Sequence, residues 1–187
     1  ETGIGINGFG RIGRSVFRVL NSRDDIEIVA INDIFDKEAL TYLLKYDTVM
    51  GRFPGDISLN GDVLHAGSQT VKLVAEKSPS ELPWKELGVD VVIESTGIFR
   101  MKSQLENHLN AGAKKVILTV PAKDEIDYAI KTWVLREGTR NSVSLHTESN
   151  KNIKAMFTKN AATRFNMGKF YHYSNLRVMN RSVEIAG

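Results

Sequence analysis

The apolar positions of this chain fall into short continuous runs, separated by stretches where they recur every three or four residues. Short runs predict buried strands, and the longer spacing predicts helices with one apolar face. Ile4-Gly5-Ile6-Asn7 is such a run and leads straight into glycines, so a buried strand is expected there. Residues 11–20 place Ile12, Val16, Val19 and Leu20 on one stripe of a helix. Residues 26–31 are rich in β-branched side chains and end at Asn32-Asp33, which predicts a second strand. Strand, helix and strand within about thirty residues form a βαβ unit.

Asp36 is placed to cap a helix over residues 37–46, with Ala39, Leu40, Leu43 and Leu44 buried. The texture then changes. Short β-prone pieces at 56–59, 62–65 and 71–75 are separated by Asn60-Gly61 and Gly67-Ser68, so a small antiparallel excursion is expected within residues 51–77. A short helix is predicted over 84–87 after Pro83. Parallel-sheet texture returns with a strand at 89–94, a helix at 101–110 ending near Gly112, and a strand at 115–120; residues 126–130 read as one more strand. Beyond them, residues 138–141 read as a turn, Asn152 is placed to cap a helix carrying Ile153, Met156, Phe157, Ala161 and Phe165, and residues 170–185 fit helix or strand equally. The pattern predicts an α/β, Rossmann-type doubly wound core over 1–130 with a mainly parallel sheet. Residues 131–187 follow as a separate segment in which the pattern is weaker.

Composition adds two constraints. The 187 residues are 42% apolar and 25% charged, an ordinary globular balance. There is no cysteine, which excludes disulfides, thiolate metal sites and any cysteine nucleophile in this chain. No apolar run approaches the ~20 residues of a membrane span, and the chain does not open on a basic-then-apolar signal, so a cytoplasmic location is expected. Charge is uneven. Residues 1–130 carry 15 Lys and Arg against 19 Asp and Glu, whereas residues 131–187 carry 10 against 3. A basic segment of that kind can attract nucleic acid weakly, although scattered charges more often form a solvated surface.

The motif that carries chemistry is Gly8-Phe9-Gly10-Arg11-Ile12-Gly13, a G-x-G-x-x-G between predicted strand and predicted helix. Asp33 follows 20 residues after Gly13, at the end of the second strand. Gly8 permits a tight turn, Gly10 lets the backbone approach a pyrophosphate, and Gly13 lets helix and strand pack closely. The amides opening the helix face the phosphates, and Asp33 accepts from the ribose hydroxyls. A carboxylate there repels a 2′-phosphate, so NAD is expected rather than NADP.

The segment Ile4-Gly5-Ile6-Asn7-Gly8-Phe9-Gly10-Arg11-Ile12-Gly13-Arg14 closely resembles the opening of phosphorylating glyceraldehyde-3-phosphate dehydrogenases. Val29-Ala30-Ile31-Asn32-Asp33, Leu44-Lys45-Tyr46-Asp47, Val92-Ile93-Glu94-Ser95-Thr96-Gly97-Ile98-Phe99 and Ala111-Gly112-Ala113-Lys114-Lys115-Val116-Ile117 match in register, so that the resemblance covers residues 4 to about 130. It implies an NAD-binding domain in which Asn32 and Asp33 lie near the adenosine and Lys77 flanks the adenine. Ser95, Thr96, Gly97 and Thr119 line the cofactor further along. It also implies that Tyr173-Ser174-Asn175-Leu176-Arg177-Val178, similar to the family's closing helix but interrupted by Leu176, brings Asn175 to the nicotinamide. A linker over residues 131–169, a C-terminal helix packing back on the core within 131–187, and a homo-oligomer are implied as well.

The chain departs from the family at the catalytic segment, Ser-Cys-Thr-Thr-Asn. The nearest echo is Glu148-Ser149-Asn150-Lys151-Asn152, which leaves Ser149 as the candidate nucleophile. A serine hydroxyl needs an organised base, and His146 and His172 lie outside the family's histidine context. No catalytic residue and no metal site are therefore expected. The expected function is an NAD-binding domain without acylating dehydrogenase activity. The alternatives are an active NAD-dependent oxidoreductase using Ser149 and a nucleic-acid or partner-binding module using residues 131–187.

Overall fold

A computed structural model describes residues 2–134, 143–146 and 175–180, with side chains over 2–127. The chain opens with β1 (Thr2–Asn7), α1 (Arg11–Leu20), β2 (Ile26–Asn32) and α2 (Lys37–Lys45). A two-stranded ribbon of β3 (Tyr46–Asp47) and β4 (Gly51–Arg52) leads into β5 (Ile57–Asn60), β6 (Val63–Ala66) and β7 (Gln69–Val74). Then come β8 (Val91–Glu94), α3 (Lys102–Asn110), β9 (Lys115–Leu118), β10 (Tyr128–Val134), β11 (Val143–His146) and β12 (Asn175–Asn180).

Ten strands form one sheet in the order β11-β10-β12-β9-β8-β1-β2-β7-β6-β5. Its centre, β9-β8-β1-β2-β7, is parallel, and both flanks are antiparallel. The doubly wound α/β core is therefore present, and the antiparallel excursion of 51–77 consists of the β3–β4 ribbon and the β5-β6-β7 meander. Two apolar cores cover the two faces. Phe9, Phe17, Leu40 and Leu44, from the glycine turn, α1 and α2, pack on Ile4, Ile6 and Ile28 on one side. On the other, Leu105 and Leu109 of α3 join Trp84, Val92 and Val116. The parity of β2 changes midway. Its pairing with β1 shifts register between Ile4 and Gly5, so Ile28 faces the first core and Ala30 the second.

The chain reverses direction of growth at β1. Strands β2 and β7 lie on one side of it and β8 and β9 on the other, which makes the β1/β8 boundary the switch point where open α/β sheets bind ligands.

Two expectations are corrected. Residues 84–87 form a single hydrogen-bonded turn, not a helix. Val89 N–H returns to the Trp84 carbonyl at 2.9 Å and Gly88 adopts φ 71°, a closure that stops the turn before a second can form. The short 3₁₀ helix of the region is Pro79–Glu81 instead. Asn175 opens a strand, β12, rather than belonging to a closing helix; β12 lies antiparallel between β9 and β10, with Arg177 opposite Leu118 and Ala129. Sheet hydrogen bonds on both sides hold that segment extended. The turn at 138–141 and the helix after Asn152 lie outside the described residues.

Asp90 ties the start of β1 to the start of β9. Its carboxylate accepts from Gly3 N–H at 3.0 Å and meets Lys114 Nζ at 2.6 Å. The Lys114 hydrogen bond, followed by that from Gly3, holds its carboxyl below the ordinary aspartate value. A depressed folded value means the contribution is full above the unfolded value, about 3.9, and is lost as pH falls through the folded one. Asp90→Asn should therefore lower the melting temperature at neutral pH, and in thermal melts the gap from the parent protein should narrow as pH falls below the unfolded value, about 3.9.

Candidate functional site

At the carboxyl ends of β1, β2, β7 and β8 the structure opens into a cleft of about 490 Å³. Asn7, Gly8 and Gly10 line it from the first turn, and Asn32, Asp33 and Ile34 from the end of β2. Glu76 and Lys77 line it from the segment after β7, and Ser95, Thr96, Ile98 and Phe99 from the segment after β8.

The three motif glycines have different surroundings. Gly8 turns the chain at φ 90°, and a Cβ there would sit 2.6 Å from the Thr96 amide nitrogen. A Cβ on Gly13 would come within 2.1 Å of the Gly8 carbonyl oxygen, so α1 can seat itself on the strand ends only without one. Gly10 is the reverse case, because a Cβ there would find no atom within 4 Å. Gly10 is also the N-cap of α1 and has no side chain with which to satisfy the helix's first amides. Those amides and the positive end of the helix dipole therefore border an open space.

Asp33 is half-buried beside that space. Its Oδ2 accepts from Phe9 N–H at 2.7 Å and its Oδ1 from Phe35 N–H at 2.9 Å. A carboxylate offers about four acceptor positions, so one on each oxygen stays available to the cleft. Phe9 contributes only backbone here; its ring is buried against Phe17 at 5.8 Å between centroids. Arg14 donates to the Phe9 carbonyl at 2.9 Å and braces the turn from behind. Burial lowers its pKa, and Asp47 opposes that shift.

Beneath the cleft, the strand ends are joined by side chains. Asn32 Nδ2 donates to Asn7 Oδ1 at 2.7 Å and to the Glu76 carbonyl at 2.9 Å, while Asn32 Oδ1 accepts from Glu76 N–H at 2.8 Å. Ser95 Oγ donates to the Gly8 carbonyl at 2.6 Å. Thr119 is held by β8, its N–H and hydroxyl both donating to the Glu94 carbonyl at 3.1 Å.

The glyceraldehyde 3-phosphate dehydrogenase NAD-binding domain family matches residues 2–102, more than half of the chain. The chain belongs to that family. A glyceraldehyde-3-phosphate dehydrogenase of Thermotoga maritima is 55% identical over 124 residues, and one of Streptomyces coelicolor is 52% identical over 123. One of Salmonella typhimurium is 50% identical over 128. These alignments take in 65–68% of this chain but only 37–39% of the relatives' lengths. The chain therefore corresponds to the NAD-binding module of these dehydrogenases, and its 187 residues contain no cysteine to act as an acylating thiolate.

Of the residues singled out from sequence, Gly8, Gly10, Asn32, Asp33, Lys77, Ser95 and Thr96 border the cleft of this dehydrogenase-like domain. Phe9, Arg11, Ile12, Gly13, Gly97 and Thr119 do not line it; Phe9 and Gly13 are buried beneath, Arg11 is exposed, and Gly97 shapes the turn at φ 75°. Asn175 is in β12, and Ser149 and His172 lie outside the described residues. Sequence reasoning missed Asn7, Ile34, Glu76, Ile98 and Phe99 as lining residues. Asn7 and Glu76 were findable, since Asn7 ends β1 and Glu76 closely follows β7, each next to a residue already assigned to the site. Among the described residues no group of three side chains is placed to hold a metal ion, and no helix is long and apolar enough to cross a membrane.

Gly13→Ala should leave the fold recognisable but destabilise it by about 1–3 kcal/mol, the cost of forcing backbone apart in a packed contact. Urea denaturation of the variant and the parent measures the difference.

Proposed function

We propose that this domain binds NAD in the cleft, with the diphosphate over Gly10 at the start of α1 and the adenosine ribose on the free acceptor positions of Asp33. The observation that carries this reading is the contrast between the glycines. Gly8 and Gly13 are glycine because the protein itself crowds them, whereas at Gly10 the protein leaves empty space in front of unsatisfied amides. That is the cradle a diphosphate requires. Ile34 and Ile98 support the adenine position. Each is about two-thirds exposed, at 66% and 68%, yet both line the cleft, and a purine would bury them. Lys77, on the cleft wall after β7, flanks the base in this reading, and Ser95 and Thr96 bound the cofactor toward β8, while Gly97 and Thr119 act from outside the cleft lining by shaping and holding those strand ends.

Bound NAD supplies hydride-transfer chemistry; what these residues contribute is binding and orientation. Acyl transfer through a thiolate has no residue in this chain to perform it. We therefore propose a cofactor-binding module that does not by itself oxidise an aldehyde phosphate.

Gly10→Ala separates folding from binding. Its melting temperature should match or slightly exceed that of the parent, because the Cβ meets nothing, while NAD affinity falls at least about tenfold. Equal affinity in calorimetry would falsify the diphosphate position. Asp33→Ala should weaken NAD by about 10- to 100-fold, the loss of hydrogen bonds to a charged acceptor. It should also narrow the preference for NAD over NADP, which titrations with both cofactors measure.

A further inference from the structure

Glu94 ends β8, is fully buried, and does not line the cleft. It is nonetheless the meeting point of the polar network below the site. Its Oε1 accepts from Thr96 N–H at 2.8 Å and from Thr96 Oγ1 at 2.5 Å. Its Oε2 accepts from Asn7 Nδ2 at 2.5 Å and from His108 Nε2 at 3.0 Å. The donor on His108 is fixed by a fourth residue. Trp84 Nε1, which can only donate, lies 3.0 Å from His108 Nδ1, so Nδ1 must accept and the ring proton sits on Nε2. The network has a direction: Trp84 donates to His108, and His108 to Glu94.

The same logic runs outward from Glu94 into both walls of the cleft. Because Oε2 only accepts, Asn7 must turn its NH₂ toward Glu94 and its Oδ1 toward Asn32. Asn32 must then offer its NH₂ to Asn7 and the Glu76 carbonyl, and its Oδ1 to Glu76 N–H. On the other side, the Thr96 hydroxyl spends its proton on Oε1 and accepts from Ile98 N–H at 3.1 Å, which shapes the turn carrying Ile98. One oxygen thus sets the wall built from Asn7, Asn32 and Glu76, and the other sets the wall built from Thr96 and Ile98.

We infer that Glu94, held by His108, is a positioning residue for the dinucleotide: it fixes the amide orientations of Asn7 and Asn32 and the course of residues 96–98 without touching the ligand. The inference rests on the NAD reading above and extends it to a buried carboxylate.

Glu94→Gln is the discriminating change, since it keeps size and removes one acceptor. In either amide orientation an NH₂ faces donors, at Thr96 N–H or at Asn7 and His108, and His108 cannot switch tautomer without opposing Trp84. NAD affinity of the full 187-residue chain is measured by calorimetry well below the melting temperature of each variant, together with ¹H–¹⁵N spectra of the Asn7 and Asn32 side-chain amides. The parent should bind NAD. The Glu94→Gln variant should bind at least about tenfold more weakly, with both side-chain amide signals displaced. A folded Glu94→Gln variant with parental affinity would overturn the positioning role and leave the NAD reading standing, whereas a parent that binds no NAD would overturn both. Should Glu94→Gln fail to fold, the His108 pair decides. His108→Gln retains an N–H for Glu94 and should hold NAD within about threefold of the parent, while His108→Leu should lose at least about fivefold. Equal affinities in the two His108 variants, at either level, would overturn the inference.

Discussion

Three parallel strands end together at the cleft, and what they end on is polar and buried. Asn7, Asn32 and Glu94 are the last residues of β1, β2 and β8, and none is more than 5% exposed. Burial of unpaired amides and a carboxylate would cost several kcal/mol, so each must find partners among the others, and only one arrangement of donors and acceptors satisfies them all. Backbone joins the same lattice. Gly8 N–H donates to the Asn32 carbonyl and Ser95 N–H to the Asn7 carbonyl, both at 2.8 Å. The strand ends are therefore held in mutual register at the one place where a ligand needs them rigid.

Above that lattice the glycine turn has little freedom. Gly8 and Gly13 touch each other's surroundings closely enough to bring the start of α1 over the strand ends. Phe9 is pinned at both of its backbone groups, by Asp33 on its N–H and by Arg14 on its carbonyl. The outcome is an uncapped helix terminus that borders open space next to a carboxylate, a combination that suits a diphosphate joined to a ribose. Binding of this kind depends on where a side chain is absent as much as on which side chains are present.

Much of this was legible along the chain. The βαβ unit, the Asp36 cap, which accepts from Ala39 N–H at 2.8 Å, and the bounds of α1 and α3 followed from local pattern and lie within a residue or so of their observed limits. These features depend on residues close in sequence. The spacing of the glycines already implied their separate roles; what it did not show is that Thr96, 88 residues further on, is the group that crowds Gly8. The single turn at 84–87 was misread because a proline followed by a helix-forming run is locally ambiguous; the closure by Gly88 and Val89, needed to bury Trp84 under α3, decides it. Strand β12 could not be told from a helix because its extended form comes from β9 and β10, not from its own residues.

By itself, the order of residues determined the fold class, the family, the position of the glycine turn and the absence of any thiolate, because each depends on composition or on spacing over a few dozen residues. The tertiary structure decided three further matters: which face each residue of β2 presents after its register shift, which distant groups crowd Gly8 and Gly13, and how Glu94, His108 and Trp84 converge beneath the cleft. These depend on contacts between segments distant in the chain, where packing and the satisfaction of buried polar groups leave a single solution that no local pattern encodes.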